Sequence, residues 1–93
     1  MRELVSTKRF ERAYRRFVRR NRRLQAHIDK TLVQMQTDVF DVSLRAHKLT
    51  GTLLGLWACS CGYDCRIVFE LKQDEEDEEY LLLIDIGTHD QVY

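Results

Sequence analysis

Five side chains in this sequence are of types that can move a proton or hold a phosphate: His47, Asp64, Arg66, His89 and Tyr93. A histidine or a carboxylate can take the proton from an attacking hydroxyl, and another histidine can protonate the leaving oxygen. A guanidinium can stabilise the charge that develops on phosphorus, and an aromatic ring can stack on a nucleobase. The set forms no obvious metal cage, so it indicates phosphodiester chemistry without a metal or another cofactor.

Strand alternation indicates how two of these side chains are placed. Asp64 and Arg66 are two positions apart where a strand begins, so they lie on the same face of it. The opposite face carries Ile67, Phe69 and Leu71, which must point to a hydrophobic core. The polar pair is therefore expected on an open surface.

The last strand leads to the C-terminal part of the set. Its apolar residues fall on both faces, so we expect a central strand with a neighbour on either side. We predict that Leu82, Ile84 and Ile86 face the helices, which leaves Asp85 and His89 on the other side. If the last two strands are neighbours, His89 shares the open surface with the polar pair. The other histidine and the terminal tyrosine then reach its rim.

Each of these residues also has a purely structural interpretation. His89 could simply cap a strand end, and His47 could be an ordinary exposed loop residue. Asp64 is of a type that turns favour, and Arg66 could do no more than pair with Glu70 on its own strand. The C-terminal tyrosine could belong to a frayed end.

Hydrophobic periodicity predicts the elements that position these residues. Arg2–Ser6 is predicted to be a first strand. A helix capped by Ser6 or Thr7 follows, with an apolar stripe on its core face, and a second helix spans residues 22–37. Asn21 favours a cap or a turn, so the short join predicts an antiparallel helical hairpin.

The second half of the chain has strand character after an ordered loop over residues 38–56. Glycine and aspartate at Gly62–Asp64 indicate a hairpin turn. The whole chain is therefore predicted to be one α+β domain, residues 1–93: a strand, a helical hairpin and then an antiparallel sheet. The sheet strands are predicted over 56–61, 65–71 and 80–86.

The chain has no net charge, but its charges are strongly segregated. Arginine and lysine crowd residues 8–23, whereas the densest acidic run is Asp74–Glu79, with six of the fifteen acidic residues. One intensely basic surface on a neutral chain indicates a polyanion partner, and arginine favours bidentate contact with phosphate. A solvated helix face is the alternative interpretation.

The cysteines indicate neither a zinc site nor an oxidising compartment. Cys59, Cys61 and Cys65 lack the paired spacing of structural zinc knuckles, so we predict buried, reduced thiols. No run is long and apolar enough to cross a bilayer, and the N-terminus lacks the apolar region of a signal peptide. These features predict a cytoplasmic protein with no membrane partner.

Several segments together resemble the RelE/ParE toxin superfamily, and most closely its YafQ-like mRNA interferase branch. The resemblance covers essentially the whole chain, and its C-terminal motif is the most specific part. The segments that carry it are Thr7–Phe10, His47–Gly51, Gly55–Ser60, Tyr63–Phe69 and Leu82–Tyr93.

This resemblance implies a toxin of a bacterial type II toxin–antitoxin pair, which enters the ribosomal A site, cuts mRNA and so inhibits translation. The implied fold is like that of small microbial ribonucleases, a helical hairpin on an antiparallel sheet. The implied partners are mRNA, the ribosome and a cognate antitoxin protein. Through that antitoxin the complex would bind its own operator DNA.

The resemblance also implies roles for the five side chains. His47 and His89 match the histidines of the YafQ-like branch, and Tyr93 matches its terminal aromatic residue. Asp64 matches the carboxylate, and Arg66 matches the RelE-type arginine that steadies the scissile phosphate. The implied reaction is attack of a ribose 2′-hydroxyl on the adjacent phosphate, which gives a cyclic phosphate and a free 5′-hydroxyl. We assign His89 as the acid and either His47 or Asp64 as the base.

Two positions depart from the branch: Ser60 stands near the place of another histidine, and Cys65 stands where a tryptophan often follows the aspartate. Two other function classes remain open. One is a ParE-like toxin that inhibits DNA gyrase by protein binding, and the other is a binding module without enzymatic activity. The candidate RNA-binding residues are Arg9, Arg12, Arg16, Arg19, Arg20, Arg23 and Lys48.

Overall fold

The computed structural model describes all residues, 1–93. The chain forms a five-stranded sheet, two long helices and a short C-terminal helix. No helix has both the length and the apolar character needed to cross a membrane. The elements are β1 (Glu3–Ser6), α1 (Lys8–Phe17), α2 (Arg22–Asp38), β2 (His47–Lys48), β3 (Trp57–Ser60), β4 (Arg66–Gln73), β5 (Glu79–Gly87) and α3 (His89–Val92).

Both long helices begin at polar residues that the sequence indicated. The Thr7 hydroxyl accepts a hydrogen bond from the Phe10 N–H at 3.1 Å. The Asn21 side chain accepts one from the Leu24 N–H at 3.0 Å. Each bond satisfies one of the N–H groups that a helix start leaves without a partner. The predicted helical hairpin is confirmed, with Asn21 as the cap of its second helix.

The sheet has the strand order β1-β5-β4-β3-β2. Neighbouring strands from β2 to β5 are antiparallel, as predicted, whereas β1 lies parallel to β5 at the sheet edge. A parallel pair needs a long crossover between its strands, and the helical hairpin is part of that crossover. β5 has a neighbour on both sides, which confirms the prediction of an internal strand.

The hydrophobic core lies between the helical hairpin and one sheet face. It joins Phe10 of α1 and Ile28 and Met35 of α2 to Ile67 and Phe69 of β4. All five side chains are almost fully buried. The core side of β4 is the one that strand alternation predicted, so Arg66 lies on the opposite, open face.

The predicted core face of β5 was wrong at two positions. Leu81 and Leu83, rather than Leu82 and Ile84, belong to the core cluster, while Ile86 belongs to it as predicted. The register explains the change. Phe69 pairs with Leu83 but Val68 pairs with Asp85, so Ile84 is an extra residue in β5 at a β-bulge. A bulge shifts the alternation of side chains by one residue, and an apolar run on both faces conceals it.

Two short elements, β2 and α3, were not predicted. The sequence indicated only an ordered loop over residues 38–56 and a tail beyond the last strand. Within that loop His47 pairs with Ala58, and Lys48 with Trp57, which adds a fifth strand to the sheet. Elements of two and four residues are too short to show a hydrophobic period.

The expectation of three reduced thiols was wrong for two of them. Cys61 and Cys65 form a disulfide across the β3–β4 turn, where their Cα atoms lie 5.0 Å apart, within the usual range for this bond. Cys59 is a free, fully buried thiol, as predicted. Its burial raises the pKa of the Cys59 thiol to about 12, an effect that the charge of Arg66 partly opposes.

Candidate functional site

The C-terminal helix α3 starts immediately beyond β5 and carries two of the five candidate side chains. A reciprocal pair of hydrogen bonds defines its start. The Thr88 hydroxyl accepts from the Gln91 N–H at 3.3 Å, and the Gln91 side-chain oxygen accepts from the Thr88 N–H at 2.8 Å. This capping box sets the direction in which His89 leaves the sheet.

His89 and Tyr93 are one helical turn apart, and their rings are in contact. The ring centroids lie 4.6 Å apart with the planes perpendicular, and the Tyr93 N–H donates to the His89 carbonyl at 3.1 Å. Tyr93 is therefore not frayed. Burial raises the pKa of the Tyr93 phenol, with Arg66 opposing that shift. At neutral pH the phenol keeps its proton, so it can stack or donate but cannot act as a base.

Asp64 lies in the β3–β4 turn, and its carboxylate reaches across to α3. One carboxylate oxygen accepts a hydrogen bond from the His89 N–H at 3.2 Å. Asp64 adopts a positive φ of 48°, which aspartate tolerates better than most residues. The disulfide between Cys61 and Cys65 closes the same turn. Asp64 is thus a turn residue that also belongs to the cluster of candidate side chains, because the turn lies against the start of α3.

Arg66 lies beside this group, opposite Gly87 in the β4–β5 register. Its guanidinium donates to the Cys65 carbonyl at 2.9 Å and forms no ion pair. The alternative of a pair with Glu70 is wrong, because Glu70 lies 3.6 Å from the Lys72 amine instead. An unpaired guanidinium on an open face is available to an anion.

His47 lies on the same sheet face as Arg66 but further across it. In the register His47 is opposite Ala58 and Ala58 is opposite Val68, so two strand spacings, about 10 Å, separate β2 from β4. The His47 Nδ1 lies 3.0 Å from the Arg45 carbonyl oxygen. A carbonyl can only accept, so Nδ1 carries a hydrogen, and in the neutral ring the lone pair is on Nε2. That lone pair can take a proton.

The structure therefore brings four of the five candidates together and places the fifth apart from them. Asp64, His89 and Tyr93 are linked by direct contacts, and Arg66 adjoins them on β4. No hydrogen bond, ion pair or ring contact joins His47 to the four. Its separation from them is compatible with a substrate that lies between a base and an acid.

The basic helix is largely free of internal partners. Arg9 donates to the Asp85 carboxylate at 3.0 Å, and Arg12 and Arg16 line the same groove, of about 630 Å³. Lys48 packs its amine over the Trp57 ring at 5.6 Å. The remaining candidate RNA-binding side chains form no ion pair, so their contact with RNA stays a prediction; they are Arg12, Arg16, Arg19, Arg20 and Arg23.

Sequence reasoning missed three residues that border this site. His27, Arg45 and Tyr63 line a groove of about 780 Å³ that also includes Asp64 and Arg66. His27 lies in the middle of α2, far along the chain from the other residues, so no local pattern linked it to them. The one feature of the sequence that could have indicated this groove is Tyr63, a large aromatic residue in a predicted hairpin turn.

The capping box of α3 depends on the absence of a side chain at Gly87. A Cβ at this position would lie 2.6 Å from the Gln91 side-chain oxygen. We therefore expect Gly87→Ala to break the capping box, to cost about 1 kcal/mol of folding free energy and to loosen α3. Thermal denaturation measures the first effect. The NMR shifts of the His89 ring, which the Tyr93 ring perturbs, measure the second.

Gln91→Ala provides the matched control, because it removes the same hydrogen bond without a clash. It should reproduce the loss, and the double variant should lose little more than either single change. If Gly87→Ala left the His89 ring signals unchanged, the capping box would not orient this histidine.

Comparisons with known proteins agree with this fold. The sequence model of a family described as a bacterial toxin of type II toxin–antitoxin systems, YafQ, matches residues 2–93. No curated protein gives a significant sequence match. Among solved structures, the YoeB/ParE toxin from Agrobacterium tumefaciens superposes with a TM-score of 0.75 at 20% identity, over 94% of this chain and 98% of that one.

Two toxin–antitoxin complexes are also similar in fold. The E. coli DinJ–YafQ complex contains a chain that matches with a TM-score of 0.76 at 12% identity, over 99% of this chain and 97% of that one. The YoeB–YefM complex from Staphylococcus aureus matches with a TM-score of 0.68 at 14% identity, over 96% and 98%. At these identities the structural likeness shows the fold alone.

Proposed function

The chain belongs to the YafQ family of bacterial toxins of type II toxin–antitoxin systems, and from that membership we propose that it cleaves mRNA on the ribosome. The observation that carries the proposal is the convergence of a carboxylate, an imidazole, a phenol and an unpaired guanidinium at one end of the sheet. They are Asp64, His89, Tyr93 and Arg66. This is a set of groups that can cleave a phosphodiester without a metal.

In the proposed reaction His47 is the base. Its Nε2 lone pair takes the proton from a ribose 2′-hydroxyl, and the oxygen attacks the adjacent phosphorus. The bond from phosphorus to the 5′-oxygen of the next nucleotide breaks, and that oxygen takes a proton from His89. The products are a cyclic phosphate and a free 5′-hydroxyl. His47 has gained one proton and His89 has lost one, so the protons balance.

The other groups stabilise and orient this reaction. The Arg66 guanidinium contacts a non-bridging phosphate oxygen, where charge grows in the transition state. Tyr93, which keeps its proton, stacks on a nucleobase or orients the phosphate. Asp64 remains the alternative base. The hydrogen bond from the His89 N–H already engages one of its oxygens, which favours a positioning role.

We also propose a cytoplasmic protein that is kept inactive by a cognate antitoxin. In similar folds, YafQ occurs in a complex with DinJ and YoeB in a complex with YefM. The unpaired arginines of α1 and of the turn that follows it offer a cationic surface to an acidic segment. The same antitoxin would attach the complex to operator DNA.

Induced expression of the wild-type chain in a bacterial host tests the function. We expect growth arrest and new mRNA 5′ ends within reading frames, because cleavage occurs on translating ribosomes. Purified ribosome–mRNA complexes should be cleaved in EDTA, which tests the independence from metals. Arrest without new 5′ ends would overturn the proposal and favour a ParE-like action on gyrase. Cleavage that EDTA abolishes would overturn the metal-free mechanism alone.

A further inference from the structure

The groove beside the proposed site is the largest concave surface near it, and the proposed reaction uses only two of its lining residues, Asp64 and Arg66. It has a volume of about 780 Å³ and lies between α2, the segment before β2 and the β3–β4 turn. Asp64 and Arg66 belong to both the groove and the reacting group of residues. A polymeric substrate whose scissile phosphate contacts Arg66 would therefore continue into this groove.

The charge of the groove fits an anion. Two guanidinium groups line it, those of Arg45 and Arg66, and neither forms an ion pair within the chain. Asp64 is the one carboxylate among the lining residues, and the His89 N–H already binds it. With two guanidinium groups and one carboxylate, the groove keeps an excess of positive charge, which attracts phosphate, and arginine can bind phosphate in a bidentate way.

The backbone of Arg45 connects the groove to the proposed base. Arg45 adopts a positive φ of 52°, which is uncommon for a residue other than glycine. In this conformation its carbonyl oxygen accepts from His47 at 3.0 Å, while the residue itself lines the groove. Arg45 therefore positions His47, the proposed base, through its backbone carbonyl, and it also lines the groove.

The rim of the groove carries an aromatic ring without a structural role. Tyr63 is fully exposed, with a relative accessibility of 102%, and its ring makes no aromatic contact. A tyrosine in this position contributes little to the core, but every nucleobase has a face that can stack on it. Below the turn, His27 packs against Gly62, where a Cβ would lie 2.9 Å from the imidazole Nε2.

We propose that this groove binds the nucleotide next to the scissile phosphate in a single-stranded RNA. Arg45 holds the phosphate of this nucleotide, Tyr63 stacks on its base, and His27 offers a hydrogen bond at the groove wall. The proposal rests on the proposed function, because it takes RNA as the substrate. It adds a subsite that selects and aligns the chain before the reaction.

Binding of a fluorescein-labelled single-stranded oligoribonucleotide, measured by anisotropy, tests the subsite. The full-length chain carries His89→Gln in this experiment, so that the probe is not cleaved during the measurement. In this background we expect Arg45→Gln to weaken binding about tenfold and to reduce the slope of log K against log salt by about 1. Tyr63→Ser should weaken binding about tenfold with an unchanged salt slope.

Two matched variants serve as controls. Lys72→Gln removes a cation from the far end of β4, and Leu54→Ser removes an apolar side chain that is 78% exposed. Both should leave affinity within twofold. If Arg45→Gln and Lys72→Gln weakened RNA binding equally, the subsite proposal would be overturned. It would also be overturned if the chain with an unaltered groove did not bind the probe.

Cleavage assays distinguish the subsite from the reaction. In the active chain, Tyr63→Ser should raise KM and leave kcat nearly unchanged, because Tyr63 touches no reacting atom. If the wild type failed to cleave mRNA while Arg45→Gln and Tyr63→Ser still weakened RNA binding, the subsite would stand and the nuclease would not. If the wild type cleaved mRNA but neither variant changed the affinity for RNA, the nuclease proposal would hold and the subsite proposal would fail.

Discussion

We expect His89→Gln to abolish growth arrest on induction and to lower the rate of mRNA cleavage by about 10²- to 10⁴-fold, which is the contribution of a positioned general acid. The reason is that the 5′-oxygen leaves as an alkoxide unless a proton reaches it, and His89 is the imidazole at the start of α3, where the capping box fixes the backbone. Growth curves, mapped mRNA 5′ ends and single-turnover cleavage rates on ribosome complexes measure the loss. Glutamine retains hydrogen bonding but cannot give up a proton as an acid.

Asp90→Asn provides a control on the same helix. The Asp90 carboxylate is fully exposed and lies 3.4 Å from His89 Nδ1, and exposed pairs of this kind contribute little. We expect Asp90→Asn to change the rate of mRNA cleavage less than fivefold. The melting temperature of His89→Gln should match that of the wild type. If the His89→Gln variant cleaved mRNA at the wild-type rate, His89 would not be the general acid, and another residue would have to supply the proton.

Replacing Arg66 by glutamine is expected to have the second largest effect, a loss of about 10²- to 10³-fold in cleavage rate. The guanidinium adjoins the carboxylate, imidazole and phenol at the end of the sheet, and it forms no ion pair within the chain. Its removal leaves the developing charge on the phosphate without a partner. Arg66→Lys should recover only part of the rate, because an ammonium cannot make the bidentate contact.

Lys72→Gln, on the same strand, separates a local effect from a loss of overall positive charge. Lys72 lies at the other end of β4, beside Glu70, and its removal should leave the rate within twofold. Single-turnover rates at saturating ribosome complex are the measurement, since they exclude a change in binding. Equal losses for Arg66→Gln and Lys72→Gln would mean that Arg66 acts through general charge and does not contact the scissile phosphate.

The parts of the fold that the sequence predicted are those with local signals. Asn21 caps α2 because its side chain bonds an N–H three residues on, and the glycine and aspartate of the β3–β4 turn supply backbone conformations that other residues avoid. β2 and the bulge at Ile84 have no such signal, because both depend on how distant strands pair. The disulfide likewise depends on a distance that spacing alone does not specify.

The same division holds for the site. Residue types and their order were enough to select two imidazoles, a carboxylate, a guanidinium and a phenol, and to indicate the family that the matching model confirms. Only the tertiary structure joined the Asp64 carboxylate to the His89 N–H, across 25 positions of sequence, and separated His47 from both. The groove that includes His27 and Arg45 is also visible only in the folded chain. Chemical capability belongs to single side chains and can be found in a sequence, whereas distances between side chains arise from packing and strand register, which act between residues far apart in the chain.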